Sequence, residues 1–205
     1  MTKKKGIEGC VYQQRLSVSA EMHAMQMKQM PCVYWFTGLP CSGKSTIANA
    51  LDLNLYEKGL YSYLLDGDNL RLGLNRDLGF TLEDRSENVR RIAEMANIMA
   101  DAGLIVIVAT VSPLCTHREI ARVIVGKERF VEVFINTPLE VCEARDVKGL
   151  YRKARRGEIV GYTGVNSPYE SPLSADLLID TVNESVAVAA MRMMQYYMKR
   201  FGSTI

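Results

Sequence analysis

Residues 38–45 read Gly-Leu-Pro-Cys-Ser-Gly-Lys-Ser and lie between a short β-rich run, residues 32–36, and a helical pattern, residues 44–58. The spacing fits G-x-x-x-x-G-K-[ST], in which a glycine-rich turn directs backbone N–H groups toward phosphate oxygens and a helix N-terminus adds its positive dipole end. In this pattern Lys44 reaches the β- and γ-phosphates and the Ser45 hydroxyl ligates Mg²⁺. The motif needs a strand, a loop and a helix in succession, so it favours a sheet-based fold that binds ATP or GTP.

The rest of the chain alternates between strand and helix patterns. Four further strands and two long helices are predicted, at residues 61–65, 104–109, 130–135 and 177–179 and at residues 82–102 and 183–200, respectively. Such alternation predicts an α/β fold with a mainly parallel five-stranded sheet, helices on both faces, and ligands at the carboxyl ends of the strands. In the last helix, Met191, Met194 and Met198 recur at helical spacing and are predicted to pack in the core.

The length and charge of the chain limit the possible architectures and partners. With 205 residues, 48% of them hydrophobic, the chain can bury one sizeable core but is short for two. We expect one domain over residues 31–205, preceded by an arm or helix over residues 1–30. A formal net charge of +2 indicates neither nucleic acid nor a membrane surface as a partner.

The cysteines and the N-terminal segment bear on the compartment. Five scattered cysteines without a C-x-x-C pair are typical of reduced intracellular thiols, which favours a cytoplasmic location. The first thirty residues combine Lys3, Lys4 and Lys5 with few acids. The alternative is therefore a segment that targets a mitochondrion-related organelle.

Two carboxylates, Asp66 and Asp68, flank a glycine at the end of the second predicted strand, on the sheet edge that carries the glycine-rich loop. Motor and switch NTPases place the Asp that organises Mg²⁺ after a strand such as residues 104–109, yet Thr110, Val111 and Ser112 follow here. The pattern favours a kinase, in which Asp66 holds the metal and Asp68 accepts the proton of the attacking hydroxyl. The alternative is an Asp-Gly-Asp turn that only closes the strand.

Basic residues follow in two groups. Arg71 and Arg85 lie near loop or helix ends and are predicted to bind phosphate or sulfate, whereas ion pairs or a solvated face explain Arg90 and Arg91 equally well. The second group lies within residues 145–156 and is followed by glycines and prolines up to residue 170. It predicts a mobile lid over about residues 145–170 that closes cations over the triphosphate. A solvated basic helix is the alternative.

Several motifs in the right order resemble the adenylylsulfate kinase family, which phosphorylates the 3′-hydroxyl of adenosine 5′-phosphosulfate (APS). The match spans about residues 33–181 and rests on residues 38–46, 66–75, 78–80, 84–91, 148–151 and 161–170. The resemblance implies a P-loop kinase that transfers the γ-phosphate of MgATP to APS, giving 3′-phosphoadenosine 5′-phosphosulfate and ADP. The chain departs from the family pattern at Pro40, Cys41, Leu114 and Tyr162, and none of these removes a charged catalytic group.

The resemblance also implies a role for individual residues. The implied catalytic residues are Lys44, Asp66, Asp68 and Ser112, and Ser45 and Asp66 would hold the metal. Because transfer is in line, no phosphorylated Ser112 is required. The implied ATP site comprises Gly38, Leu39, Pro40, Cys41, Ser42, Gly43, Lys44, Ser45 and Thr46, with Arg145 and Thr181 at the base. The implied APS site comprises Asp66, Asp68, Asn69, Arg71, Phe80, Arg85, Asn88, Val111, Ser112, Lys148, Gly161 and Tyr162.

Phe80 and Tyr162 would clamp the adenine of APS, since a purine stacks well between two aromatic faces. This clamp distinguishes APS from a second hypothesis, a kinase for a sugar acid or another small hydroxyl acceptor. A third hypothesis is a non-catalytic nucleotide-binding subunit, against which Lys44, Ser45 and Asp68 argue. The resemblance further implies a homodimer and functional coupling to a separate ATP sulfurylase.

Overall fold

The computed structural model describes residue 12 and residues 14–202. Five strands form its sheet: β1 (Val33–Thr37), β2 (Ser62–Asp66), β3 (Ile105–Ala109), β4 (Phe130–Asn136) and β5 (Leu177–Asp180). Eight helices accompany them in this part of the chain: α1 (Ala20–Met27), α2 (Lys44–Glu57), α3 (Gly67–Leu72), α4 (Leu82–Asp101), α5 (Cys115–Val125), α6 (Leu139–Arg145), α7 (Leu150–Arg155) and α8 (Val186–Phe201). Each predicted strand and long helix is present within three residues of its predicted bounds.

The strand order is β2-β3-β1-β4-β5, and every neighbouring pair is parallel. The predicted parallel five-stranded α/β fold is thereby confirmed. The register aligns Asp66 at the end of β2 with Ala109 of β3, and Ala109 with Phe36 of β1. The loops after β1, β2 and β3 therefore meet at one edge of the sheet.

Helices cover both faces of the sheet, so its central strands are buried on both sides. Alternate residues of β1 enter different cores, because successive side chains of a strand point to opposite faces. Tyr34 and Phe36 pack in the cluster that contains residues of α2 and α8, whereas Val33 and Trp35 pack in the cluster formed by α4 and α5.

Two long helices, α2 and α4, lie beside the edge formed by the loops after β1, β2 and β3, and both have clear N-terminal signals. α2 begins after Gly43, whose φ of 105° is accessible chiefly to glycine, and it buries Ile47, Leu51 and Leu55 one helical turn apart. α4 begins at Thr81, whose hydroxyl accepts a hydrogen bond from the Asp84 N–H at 3.1 Å.

The N-terminal segment is tied to the sheet edge opposite the one formed by the loops after β1, β2 and β3. The Gln29 side-chain amide donates to the carbonyl oxygens of Tyr61 and Gly103, and its oxygen accepts from the Tyr61 N–H, each at 2.8 Å. A Cβ atom on Gly103 would lie 2.9 Å from the Met27 sulfur, so α1 approaches that turn closely.

The domain boundary at residue 31 stays a prediction. Lys3, Lys4 and Lys5, on which the organelle-targeting hypothesis rests, lie outside the described residues. Among the helices described, none is long and apolar enough to cross a membrane.

The core prediction for the last helix is wrong for two of its three methionines. Met191 and Met198 are 56% and 53% exposed, whereas Met193 is fully buried beside Tyr197 and Phe201. The phase of the helix is set by these two aromatic side chains, which fill more core volume than the methionine stripe could.

Candidate active site

The glycine-rich loop, residues 38–45, has an unusually tight backbone. A Cβ atom on Gly38 would lie 2.7 Å from the Ile135 carbonyl oxygen, and Cys41 takes the left-handed φ of 58°. The Lys44 ammonium group donates to the carbonyl oxygens of Gly38 at 3.0 Å and Leu39 at 2.6 Å. Burial lowers the pKa of Lys44 to about 8, because desolvation disfavours the charged form.

Side chains that follow β4 and β5 hold the same loop from outside. Arg145 donates to the Ser42 carbonyl oxygen and to the Thr181 hydroxyl, both at 3.1 Å. Thr137 and Tyr151 donate to the carbonyl oxygens of Ser42 and Pro40, each at 3.0 Å. The structure therefore places Arg145 and Thr181 beside the loop, together with two residues that sequence reasoning missed.

The hydroxyl of Ser45 donates to the Asp66 carboxylate at 2.6 Å. The other Asp66 oxygen accepts from the N–H groups of Asp68 and Asn69 at 3.0 and 3.3 Å, so Asp66 caps α3. The Asp-Gly-Asp turn at the end of β2 is therefore present, and it lies in contact with the phosphate loop. Hydroxyl and carboxylate oxygens are ligands that Mg²⁺ prefers, so Ser45 and Asp66 fit the metal of a nucleotide-binding loop.

Asp68 forms an ion pair with Lys148 at 2.5 Å, which joins α3 to the predicted lid. Both side chains are exposed, at 75% and 63%. The carboxylate raises the pKa of Lys148 by hydrogen bonding and by its charge. Two residues 80 positions apart in the sequence thus meet next to Asp66.

The second half of the cleft is aromatic and cationic. Phe80 is 62% exposed, and the guanidinium groups of Arg71 and Arg85 lie 4.4 and 5.7 Å from its ring centre. Arg85 also donates to the Gly161 carbonyl oxygen at 2.8 Å, which links α4 to the predicted lid. Partial burial lowers the pKa of both arginines. The Tyr162 ring stands edge-on to Tyr151 at 5.0 Å.

The remaining predicted acceptor residues lie between these groups and the core. Asn88 is buried and accepts from the Asn75 amide at 3.0 Å, and the Val111 carbonyl oxygen accepts from Thr37 at 2.8 Å. Ser112 is 2% exposed with a φ of 35°, and its hydroxyl accepts from the Trp35 indole at 3.1 Å. The Ser112 hydroxyl is thus hydrogen-bonded within the core. This arrangement is compatible with direct transfer between the substrates, which needs no phosphoserine.

The ion-pair reading holds for the two central arginines of α4. Arg90 pairs with Glu87 at 2.7 Å, and Arg91 pairs with Asp77 at 2.7 Å and with Glu87 at 2.9 Å. These arginines have carboxylate partners, unlike Arg71 and Arg85, whose hydrogen bonds go to carbonyl oxygens.

A buried ionic cluster behind the site was not foreseen from the sequence. Arg118 and Glu132 are 4% and 8% exposed at their side chains and pair at 2.9 Å. The available signal was Glu132 itself, an acid within the otherwise apolar β4. A carboxylate buried in such a strand requires a cationic partner.

Known proteins are similar to this chain over most of its length. The family model of adenylylsulphate kinase matches residues 30–180. An adenylyl-sulfate kinase of Pseudomonas aeruginosa is 52% identical over 180 residues, which cover 88% of this chain and 92% of that protein. The bifunctional enzyme NodQ of a Rhizobium species is 52% identical over 182 residues, which cover 89% of this chain and 29% of NodQ.

Among solved structures, the Mycobacterium tuberculosis APS kinase in complex with AMPPNP and APS matches with a TM-score of 0.79 and 47% identity, covering 81% of this chain and 96% of that one. The parallel five-stranded sheet agrees with the fold of that structure. The chain therefore belongs to the adenylylsulphate kinase family of ATP-dependent phosphotransferases that act on an alcohol group.

Proposed function

We propose that this protein transfers the γ-phosphate of MgATP to the 3′-hydroxyl of APS, giving 3′-phosphoadenosine 5′-phosphosulfate and ADP. The observation that carries the proposal is the position of Asp68 two residues after the metal ligand Asp66, which itself contacts Ser45 of the phosphate loop at 2.6 Å. This position supports Asp68 as the general base, because the acceptor hydroxyl would arrive next to the phosphates bound by the loop.

The ATP half of the site supplies positive charge to the triphosphate. Lys44 would exchange the carbonyl oxygens of Gly38 and Leu39 for the β- and γ-phosphate oxygens, while loop N–H groups bind the same phosphates. Ser45 and Asp66 would hold Mg²⁺, which neutralises charge on the phosphates when bound. Arg145 and Thr181 would contact the adenine of ATP.

The acceptor half would bring the hydroxyl into line. Asp68 takes the proton of the 3′-hydroxyl, the new bond forms between O3′ and the γ-phosphorus, and the bond from that phosphorus to the bridging oxygen of ADP breaks. Arg71, Arg85 and Lys148 would bind the phosphosulfate, with Asn69, Asn88, Val111 and Ser112 around the ribose.

The lid would close over both substrates. Lys148 already contacts Asp68 across the cleft, and Gly161 already contacts Arg85. These contacts support a lid over about residues 145–170 whose closure excludes water from the transferred phosphoryl group and brings Tyr162 toward Phe80.

The direct test is ADP release by the purified protein with MgATP, with and without APS, and identification of the product by mass spectrometry. Acceptor-dependent ADP with the 3′-phosphorylated product is expected. Asp68→Asn is the matched control: it keeps the side-chain size and should still bind both nucleotides, but turnover should fall about 100-fold or more. Faster ADP release with a sugar acid than with APS, or nucleotide binding without turnover, would contradict the proposal.

Three further proposals concern the setting of the enzyme. The protein would act as a homodimer, which light scattering of the purified chain can measure. A separate ATP sulfurylase would supply APS, and co-purification of the two enzymes would test their coupling. The cytoplasmic location stays a prediction.

A further inference from the structure

We propose that Arg118, held by Glu132, is the positioning residue that fixes the Ser112 backbone and the end of the lid relative to each other, and so shapes the APS half of the site. This inference rests on the proposed function, because it assigns Ser112 and the lid to the acceptor. Arg118 lies on α5, outside every motif discussed for the sequence.

The guanidinium group of Arg118 uses all three of its nitrogens. Nε pairs with the Glu132 carboxylate at 2.9 Å, and Nη1 donates to the Ser112 carbonyl oxygen at 2.9 Å. Nη2 donates to the Glu170 carbonyl oxygen at 2.7 Å and to the Cys115 sulfur at 3.1 Å. One planar group thus connects β4, the loop after β3 and the end of the lid.

Ser112 needs such support because its backbone is strained. Its φ of 35° lies in the left-handed region, which non-glycine residues adopt only when the surroundings impose it. Its carbonyl oxygen is buried with it, and a charged donor compensates that oxygen better than a neutral one. The Arg118 contact therefore stabilises an otherwise unfavourable conformation beside the transferring groups.

A second set of contacts binds the same two segments. The Glu170 N–H donates to the Pro113 carbonyl oxygen at 2.8 Å, and the Glu170 carboxylate accepts from the Cys115 N–H at 2.6 Å. The Tyr169 hydroxyl lies 3.0 Å from the Thr37 hydroxyl. Ser112 and the end of the lid therefore move as one unit, and Arg118 is the charged group at its centre.

The chain offers a matched control in Arg122. Arg122 binds the other oxygen of the same Glu132 carboxylate at 2.7 Å, one helical turn further along α5. Within the described chain its hydrogen bonds do not reach Ser112 or Glu170. Substitution of Arg122 weakens the same carboxylate cluster without releasing the Ser112–Glu170 unit.

The test compares Arg118→Lys with Arg122→Lys. Lysine keeps the charge near Glu132 but lacks the planar fork that serves two carbonyl oxygens at once. For Arg118→Lys, kcat/KM for APS should fall roughly 10- to 100-fold, as expected for the loss of one or two charge-assisted hydrogen bonds. The dissociation constant of MgATP should change less than about threefold, because the phosphate loop makes its own contacts. For Arg122→Lys, both quantities should stay within about threefold of wild type.

Limited trypsin digestion gives a readout that does not depend on the acceptor. Cleavage within residues 145–170, mapped by mass spectrometry, should be faster for Arg118→Lys than for Arg122→Lys at equal thermal stability. Equal effects of the two variants on kcat/KM and on lid cleavage, or an equal loss of MgATP affinity and APS efficiency in Arg118→Lys, would overturn the proposal.

Two further outcomes are distinguished from these: a variant that does not fold, and a wild-type protein without APS-dependent activity. If Arg118→Lys shows no cooperative unfolding, Glu132→Gln replaces it and should show the same split between APS and MgATP, since an uncharged amide orients the guanidinium less firmly. If the wild-type protein releases no APS-dependent ADP, the proposed function fails, whereas the lid-cleavage comparison still decides the role of Arg118.

Discussion

Lys44 shows how a single residue is prepared for its substrate. Its ammonium group is bonded to carbonyl oxygens of its own loop, and its pKa is lowered to about 8 by burial. A bound triphosphate favours the protonated form, so binding must restore the proton that about half of the free protein has lost at pH 8.

We therefore expect MgATP binding to take up protons in a pH-dependent way. At pH 6.5 Lys44 is already protonated and uptake should be near zero, whereas at pH 8 it should approach about half a proton per site. Above pH 8 the affinity should fall as the pH rises. Titration calorimetry in buffers of different ionisation enthalpy measures the uptake, and equal uptake at both pH values would contradict the assigned pKa.

Gly38 permits a second prediction at the residue scale. In Gly38→Ala the new Cβ would meet the Ile135 carbonyl oxygen at 2.7 Å and the Ser42 hydroxyl at 3.0 Å. The free energy of unfolding should fall by about 3 kcal/mol or more, because a backbone atom cannot yield as a flexible side chain does.

Gly59→Ala is the control for this prediction. Gly59 also has a positive φ, 73°, but nothing lies within 4 Å of a Cβ placed there. This variant should lose only about 1 kcal/mol, from the left-handed backbone alone. Urea unfolding measures both, and equal losses would show that the contact with β4 does not limit position 38.

At the scale of elements, α1 is attached to the sheet through the Gln29 amide. Gln29→Ala removes three hydrogen bonds and should lower the unfolding free energy by about 2 kcal/mol. Because Gln29 lies at the amino ends of β2 and β3, away from the candidate active site, kcat should stay within about twofold of wild type. Gln26→Ala, on an exposed position of the same helix, should change stability by less than about 0.5 kcal/mol.

Much of the element order could be predicted because the strands are mainly apolar, β-rich runs and the long helices have clear end signals. α5 was not predicted, since it follows Pro113 and its apolar residues are interrupted by His117, Arg118 and Arg122. Two of these polar residues are buried in the structure, so the hydrophobic pattern alone could not identify the helix. The phase of α8 was misjudged because it depends on Tyr197 and Phe201 packing against residues distant in sequence.

At the scale of the whole molecule, the site depends on contacts between distant parts of the chain. The phosphate loop and Asp-Gly-Asp could be found from local spacing, and the structure brings Ser45 and Asp66 together. The resemblance grouped Asp68, Lys148, Arg85 and Gly161 in one implied APS site, but their spacing carries no local signal for the Asp68–Lys148 and Arg85–Gly161 contacts. The Arg118–Glu132 pair needed the three-dimensional packing of α5 on β4.

The cleft as a whole should select acceptors by charge. Lys148 is paired with Asp68, so under the proposed mechanism an acceptor must offer an anion to Lys148 to free Asp68 as the base. Adenosine, which lacks the phosphosulfate, should therefore show a kcat/KM about a thousandfold or more below that of APS. Parallel assays of APS, adenosine monophosphate and adenosine at fixed MgATP measure this. Similar efficiency for APS and adenosine would contradict it.

The guanidinium group over Phe80 has a consequence for how the purine of the acceptor is bound. Arg71 lies 4.4 Å from the centre of the Phe80 ring. In the proposed complex, an adenine that stacks on this ring would displace the Arg71 cation from it. A cation over an exposed ring contributes roughly 0.5–1 kcal/mol and a stacked base roughly 1–3 kcal/mol, so displacing the cation reduces the net gain from stacking to about 0–2.5 kcal/mol. In the proposed complex the base would therefore add less affinity than stacking on a free ring, and part of its role would be to orient the ribose.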